Sequence, residues 1–114
     1  MKGTYLGEFE ELVLLTIGVL FDNAYGVIIK KELENQAGRK ISIGAVHAAV
    51  NRLEDKAYLE SYFGEPSKER GGKRKKFYKV TTYGQKVLKE SMEMRQRLWK
   101  QIPDVAFEIK PGNI

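Results

Sequence analysis

Residues 42–80 decide the fold of this chain; they read SIGAVHAAVNRLEDKAYLESYFGEPSKERGGKRKKFYKV. In the first part, apolar residues recur at steps of three and four, the spacing of one face of an α-helix: Ile43, Val46, Val50, Leu53 and Ala57. Ser42 can cap that helix, which we expect to run from Ile43 to about Ala57. Segments 58–63 and 75–80 alternate as strands do, and 64–72 between them holds Pro66 and a Gly-Gly pair, which favour a loop. The stretch therefore predicts a helix followed directly by a β-hairpin.

Two helices precede this unit and one follows it. Segment 8–21 is apolar nearly all round, so we expect a core helix that is buried on most sides. A second helix, from Ala24 or Tyr25 to about Ala37, would end at Gly38 and bury Tyr25, Ile28, Ile29, Leu33 and Ala37. Thr81 or Thr82 can cap a long helix to about Ile102, and Gln85 would complete a capping box with Thr82. The predicted fold class is mainly α with a small β-hairpin: a winged helix-turn-helix plus a long C-terminal dimerisation helix.

The positive charge of the chain is concentrated in the hairpin. The 114 residues suit a single domain and carry a formal net charge of +5. Segment 66–80 holds seven basic residues and one acidic residue, whereas the remainder holds 13 basic and 14 acidic residues. A focused basic segment is expected of a nucleic-acid-binding protein. A solvated loop that only aids solubility is the alternative.

The helix before the hairpin presents small and polar residues opposite its apolar stripe. Such a face can enter the major groove of DNA, which is about 12 Å wide, where asparagine pairs with adenine and arginine with guanine. The candidate DNA-binding residues of the helix are Ser42, Gly44, His47, Ala48, Asn51 and Arg52. Those of the hairpin are Lys73, Arg74, Lys75 and Lys76, of which two or three can face one surface because strand side chains alternate. The alternatives are an ion pair of Arg52 with Glu54 or Asp55 and a solvated Asn51.

The last helix carries an apolar stripe close to a heptad rhythm over about 30 Å. A core of three short helices cannot cover that length, so we predict that a second copy of the chain covers the rest. The predicted dimerisation residues are Leu88, Met92, Arg95, Leu98, Trp99 and Ile102. Folding of the helix back onto its own core is the alternative. A homodimer would also present two reading helices to a palindromic site in double-stranded DNA.

Several function classes fit the composition poorly. With no cysteine and one histidine, the sequence predicts no disulfide, no metal site and no cofactor. It lacks a glycine-rich phosphate loop, so an enzyme is not expected. No membrane span or leader pattern is apparent, and we expect a cytoplasmic protein. The competing hypothesis is a winged-helix protein-interaction module without specific DNA binding, and RNA binding is a third.

Four segments of the chain together resemble the PadR family of transcription regulators. They are LGEFEELVLLTIGVL (6–20), AYGVIIKKELE (24–34), SIGAVHAAVNRLEDKAYLES (42–61) and ERGGKRKKFYKVTTYG (69–84). The order of elements predicts a winged helix-turn-helix over 1–80, a dimerisation helix over 81–103 and a tail over 104–114, and the resemblance, which covers about residues 5–90, implies the same winged helix-turn-helix. It also implies a homodimer that usually acts as a repressor and in some members responds to a phenolic compound or hydrophobic drug. Trp99 and Met92 are the candidate effector-binding residues, because an aromatic side chain on this helix can stack on a planar ligand.

Two positions depart from the family pattern. His47 stands where members usually carry tyrosine, and Ala57 stands where they usually carry glycine. The first puts in doubt the transfer of a DNA-contacting role from that tyrosine. From the second we expect that the helix runs one residue further before the hairpin.

Overall fold

Three helices form the core of the protein, a computed structural model of which describes residues 6–66 and 71–108. Helix α1 spans Glu8–Leu20 and is followed by a 3-10 turn, Phe21–Asn23; α2 spans Gly26–Ala37 and α3 spans Ile43–Asp55. Their facing side chains are almost fully buried and include Leu14, Ile17, Ile29, Leu33, Val46, Val50 and Leu53. Gly38 ends α2 in the left-handed conformation, and the Ser42 hydroxyl accepts the N–H of Ala45 at the start of α3. Both of these helix boundaries were predicted.

An antiparallel hairpin follows α3. Strand β1 spans Leu59–Pro66 and strand β2 spans Arg74–Val80, with Leu59 opposite Val80. The assignment of 64–66 to a loop was wrong, because β1 continues through a bulge until Pro66 pairs with Arg74. Gly64 permits this extension: a Cβ there would lie 2.6 Å from the ring of Phe77.

The hairpin is also joined to the connection between α1 and α2. Tyr25 forms an antiparallel bridge with Phe77, and the N–H of Tyr78 donates to the carbonyl of Ala24 at 2.8 Å. Three helices with a hairpin attached in this way form a winged helix-turn-helix, so the predicted fold class is confirmed.

The junction between α3 and β1 corrects one expectation. Helix α3 ends at Asp55, and Ala57 adopts φ +66° instead of continuing the helix. The N–H of Tyr58 donates to the carbonyl of Leu53, and the N–H of Ala57 donates to that of Glu54. This is the Schellman arrangement, which places a left-handed residue just after the helix. The prediction that α3 runs to Ala57 was therefore wrong: the backbone turns at Ala57 although alanine has a Cβ.

Several apolar positions that we expected to be buried lie at the surface. Helix α1 is not buried on most sides, because its neighbours among the described residues cover only one face and leave Leu15 and Val19 46% and 66% exposed. Ala37 lies at the exposed end of α2, and Ala57 is exposed at the turn after α3. Ile43, in the first turn of α3, is 37% exposed.

Helix α4, Thr82–Gln101, begins against the junction between α3 and β1. The hydroxyl of Thr81 caps the helix by accepting the N–H of Gly84, and it donates to the carbonyl of Ala57. The predicted capping box of Thr82 with Gln85 was therefore wrong, since the cap lies one residue earlier. Gly84 lies directly on the backbone of Tyr58, where an added Cβ would come within 2.3 Å of the carbonyl oxygen.

Beyond Ser91, helix α4 projects from the core. All of residues 92–101 are exposed, and the radius of gyration is 18.0 Å, against about 13 Å for a compact chain of this length. Part of the expected tail is ordered: Asp104–Phe107 form a 3-10 turn that brings Phe107 to 5.6 Å from Trp99, measured between ring centroids. Residues 109–114 of the tail lie outside the described residues.

Candidate nucleic-acid interface

The surface of α3 that faces away from the core is small and polar, as predicted. The exposed residues on it are Ser42, Gly44, His47, Ala48, Asn51 and Arg52. A Cβ at Gly44 would meet open space. Apart from Ile43 and His47, the exposed face of the first two turns of α3 therefore carries no large side chain.

The turn before α3 is held by one carboxylate. Glu34, near the end of α2, accepts the backbone N–H of Ile41 at 2.9 Å and the ammonium of Lys30 at 3.1 Å. The hydrogen bond from Ile41, and then that from Lys30, lower the pKa of Glu34 below its ordinary value. The carboxylate thus ties the segment that leads into α3 to the last turns of α2.

The basic residues of β2 divide between two environments. Lys73, Arg74 and Lys76 are exposed, whereas Lys75 is half-buried, with its ammonium 4.2 Å from the centre of the Tyr25 ring. Lys68 and Arg70, which add to the basic charge of the segment, lie outside the described residues. The two aromatic residues of β2, Phe77 and Tyr78, have packing roles.

Helix α3 and strand β2 border a common groove of about 480 Å³. Among the predicted residues it brings together His47, Asn51, Lys75 and Lys76. Tyr25 also lines it, although the sequence pattern placed this residue on the buried face of α2. The signal for its actual position is not local, because Tyr25 is extended and pairs with Phe77 fifty-two positions later. The groove combines hydrogen-bonding side chains with two ammonium groups.

Arg52 lies at the edge of the α3 face and contacts α1. Its Nε donates to the Glu10 carboxylate at 2.7 Å, and Lys56 donates to the other carboxylate oxygen at 2.8 Å. Partial burial acts to raise the pKa of Glu10, but the hydrogen bonds from Lys56 and Arg52 outweigh it and leave the pKa below its ordinary value. The partner of Arg52 is thus Glu10, and not Glu54 or Asp55 as the alternative suggested.

The first turn of α1 makes two further contacts of this kind. Its three carboxylates (Glu8, Glu10 and Glu11, which we call the acidic turn) reach three other parts of the fold. Glu8 pairs with Arg39 between α2 and α3, Glu10 with α3, and Glu11 with Ser91 and Arg95 on α4. The acidic turn therefore joins the helix that carries the polar face to the helix that projects.

The predicted dimerisation residues fall into two groups. Leu88 packs partly against the core of its own chain, and Arg95 is bound to Glu11. Met92, Leu98, Trp99 and Ile102 are between 36% and 67% exposed. The first half of α4 thus folds back on its own domain, as the alternative had it, and the second half carries an uncovered apolar surface.

In ranges 6–66 and 71–108, no group of three histidine, cysteine or acidic residues is placed to hold a metal ion. No helix in the described part of the chain is both long and apolar enough to cross a membrane. The polar face of α3 and the basic strand β2 form the kind of surface with which winged-helix proteins contact DNA.

The sequence of this chain is similar to those of a known family of proteins. Residues 14–90 match the sequence profile of the transcriptional regulator PadR-like family. An uncharacterized protein of Lysinibacillus sphaericus is 30% identical over 101 residues, which cover 87% of this chain and 84% of that protein. The chain therefore belongs to the PadR-like family, and it is a DNA-binding transcription regulator, not an enzyme.

Solved structures agree with this assignment. A transcriptional regulator from Clostridium thermocellum is 27% identical, with a TM-score of 0.64 over 80% of this chain and 85% of that one. RosR from H. salinarum is 23% identical, with a TM-score of 0.68 over 87% of this chain and 82% of that one. A PadR family transcription regulator from Clostridium difficile is 23% identical, with a TM-score of 0.63 over 81% of this chain and 92% of that one. The last two likenesses support the fold.

Proposed function

We propose that this regulator is a homodimeric, sequence-specific repressor that reads its operator with α3 and grips the flanking backbone with the hairpin. The groove shared by α3 and β2 carries the proposal, because it places His47 and Asn51 beside Lys75 and Lys76. In this assignment residues 1–80 are the DNA-binding unit, 81–103 the dimerisation helix and 104–114 a tail.

The residues of the interface divide by role. Asn51 and His47 contact base edges in the major groove, while Ser42, Gly44 and Ala48 allow α3 to approach closely. Lys73, Arg74, Lys75 and Lys76 contact phosphates, which hold the module in register but carry no sequence information. Arg52, whose Nε is held by Glu10, lies at the edge of the contact area and reaches the DNA from there.

The first experiment is a mobility shift with DNA from the intergenic region upstream of the gene, at two salt concentrations and with random DNA as competitor. The variant Lys73→Ala/Arg74→Ala should weaken binding. It should also make the slope of log K against log salt concentration less steep by roughly two units. The variant Lys86→Ala/Lys89→Ala loses the same charge from exposed positions on α4 and should change the slope little. Equal effects of the two variants would contradict the assignment of the hairpin.

Base reading needs a separate pair of variants. Asn51→Ala should reduce the preference for the operator over random DNA by about tenfold, because a lost base contact costs roughly 1–3 kcal/mol. Asn35→Ala, at an exposed position near the end of α2, is the matched control. Weak binding of the wild-type protein that hardly depends on salt or sequence would favour the protein-interaction module instead.

Dimerisation is assigned to the projecting half of α4. Three of its apolar side chains, Leu98, Trp99 and Met92, are at least half exposed, and a monomer would leave this surface in water. Sedimentation velocity should find a dimer at micromolar concentration, and Leu98→Glu should convert it to a monomer. Arg97→Glu, at an exposed position on the side of α4 opposite Met92 and Trp99, should leave the dimer intact.

The proposed effector is a planar apolar or aromatic compound that binds beside Trp99 and Met92 and releases the repressor from DNA. Support comes from the place of the Trp99 ring on the surface assigned to the dimer, where a compound bound between the two copies would contact it. Trp99 is also the single tryptophan of the chain, so its fluorescence reports binding directly. Titration with planar drugs should quench it and should lower operator binding in parallel. If a compound quenched Trp99 but did not release DNA, the regulatory role of the effector would be refuted. If no compound quenched Trp99, the proposed effector site would be refuted.

A further inference from the structure

Lys75 differs from the other basic residues of the hairpin because an aromatic ring holds it. Its ammonium lies 4.2 Å from the centre of the Tyr25 ring, well inside the range of about 6 Å over which a cation is attracted to the face of an aromatic ring. It is also half-buried, whereas Lys73, Arg74 and Lys76 are exposed. The ring thus restricts a side chain that would otherwise sample many rotamers.

The ring of Tyr25 is itself fixed by its surroundings. The rings of Tyr25 and Phe77 meet edge to face, with centroids 5.4 Å apart and an interplanar angle of 70°, and Phe77 stacks on Tyr62 at 5.5 Å and 16°. An antiparallel bridge also joins the backbones of Tyr25 and Phe77. The position of Lys75 is therefore set by a row of three aromatic rings that belongs to the folded domain.

The held lysine lies at the groove between α3 and the hairpin. Tyr25, Lys75, His47 and Asn51 all line this groove. Ordering a lysine side chain costs conformational entropy, and a lysine that is already ordered in the free protein avoids most of that cost when it meets a phosphate.

We propose that Tyr25 is a positioning residue that holds Lys75, through the face of its ring, in the place where Lys75 contacts one DNA phosphate beside α3. The proposal rests on the proposed function, since it requires that DNA occupies the groove. It assigns to Tyr25 a role in affinity and in salt dependence but not in sequence preference.

The test measures binding of a fluorescein-labelled duplex of mixed sequence by anisotropy over a salt series. Lys75→Ala should make the slope of log K against log salt concentration less steep by about one unit. Tyr25→Leu should lower the affinity for DNA at low salt by roughly threefold to tenfold. Tyr25→Phe keeps the ring and should match wild type. The double variant Tyr25→Leu/Lys75→Ala should bind no more weakly than Lys75→Ala alone. Lys79→Ala removes a charge from the same strand away from Tyr25 and is the control.

A fluorinated phenylalanine at position 25 keeps the shape of the ring but weakens the attraction of its face for a cation. This variant tests the proposal even if Tyr25→Leu does not fold, and it should bind DNA more weakly than Tyr25→Phe. Equal binding of the two, or additive losses in the double variant, would overturn the positioning role. If the wild-type protein itself bound DNA without salt dependence, the proposed function would fail together with the role of Tyr25. If the wild-type protein bound DNA with salt dependence and one of the contrary results above was found, only the positioning role of Tyr25 would fail.

Discussion

Replacing Ala57 by glycine should make the protein more stable. Ala57 adopts φ +66° in the Schellman turn after α3, where a residue with a Cβ costs about 1–2 kcal/mol. Glycine avoids that cost but loses more backbone freedom on folding, which takes back about 0.5–1 kcal/mol. The Ala57 side chain is exposed, so its removal sacrifices no packing. The net gain should be about 0.5–1 kcal/mol in the free energy of unfolding.

The assay is urea unfolding followed by circular dichroism, together with a thermal melt. A gain of this size should raise Tm by roughly 3–5 °C, and the protein concentration must be the same throughout because a dimer melts at a temperature that depends on concentration. Ala48→Gly is the matched control. Ala48 is an exposed alanine inside α3, where the same replacement should lower stability by about 1 kcal/mol.

Opposite signs for the two alanine-to-glycine replacements would confirm the backbone argument. If Ala57→Gly lowered stability by as much as Ala48→Gly, the left-handed turn would not be the state of residue 57 in solution. The same result would restore the expectation that α3 runs on to Ala57.

Two further replacements probe the contacts that hold α1, α3 and α4 together. Gly84→Ala should lower the free energy of unfolding by about 1–3 kcal/mol. The added Cβ would come within 2.3 Å of the Tyr58 carbonyl oxygen and force α4 away from the domain. A thermal melt measures the loss of stability. Glu10→Gln should lower stability by about 1 kcal/mol at neutral pH, since it weakens the bonds from Arg52 and Lys56. The pKa of Glu10 is lowered in the folded state. Its contribution to the free energy of unfolding is therefore present above the ordinary pKa of 4.5 and is lost as the pH falls through the lowered value. Urea unfolding should show the stabilities of wild type and Glu10→Gln converging from neutral to acid pH.

Each of these two predictions has a clear contrary result. A Gly44→Ala variant adds a methyl group in open space, so a Gly84→Ala loss no larger than that of Gly44→Ala would mean that α4 does not rest on the Tyr58 backbone. For Glu10, the control is Glu93→Gln at an exposed position on α4. A Glu10→Gln effect that stayed the same down to strongly acid pH would show that the carboxylate charge is not the source of the stability.

Local signals predicted where the helices lie and two of their ends. The apolar steps from Val46 to Val50 to Leu53, the Ser42 cap and the stop at Gly38 depend on residues within one or two turns of each other, and all three are present in the structure. The left-handed turn at Ala57 was missed because alanine gives no sign of it. The turn brings Tyr58 against Gly84 of α4, a contact that no pattern read along the chain shows.

The candidate interface was predicted only in part, for a similar reason. His47, Asn51 and the hairpin lysines could be named from charge and spacing. The positions of Tyr25 and Arg52 depend instead on pairings with Phe77 and Glu10, which are far away in the sequence. A pattern that is read along the chain shows which face a residue occupies, but not which distant residue it meets.

The acidic turn also bears on the order in which the chain can fold. Its carboxylates belong to α1, which leaves the ribosome before α2, α3 and α4, yet their partners lie 31, 42 and 84 positions later, at Arg39, Arg52 and Arg95. Helix α1 can therefore form early but gains its last bonds only once α4 has been synthesised, so contacts that close the fold arrive late. A nascent chain that stops within the hairpin leaves Glu11 without Ser91 and Arg95, and α1 is then held by the core and by the pairs of Glu8 with Arg39 and Glu10 with Arg52.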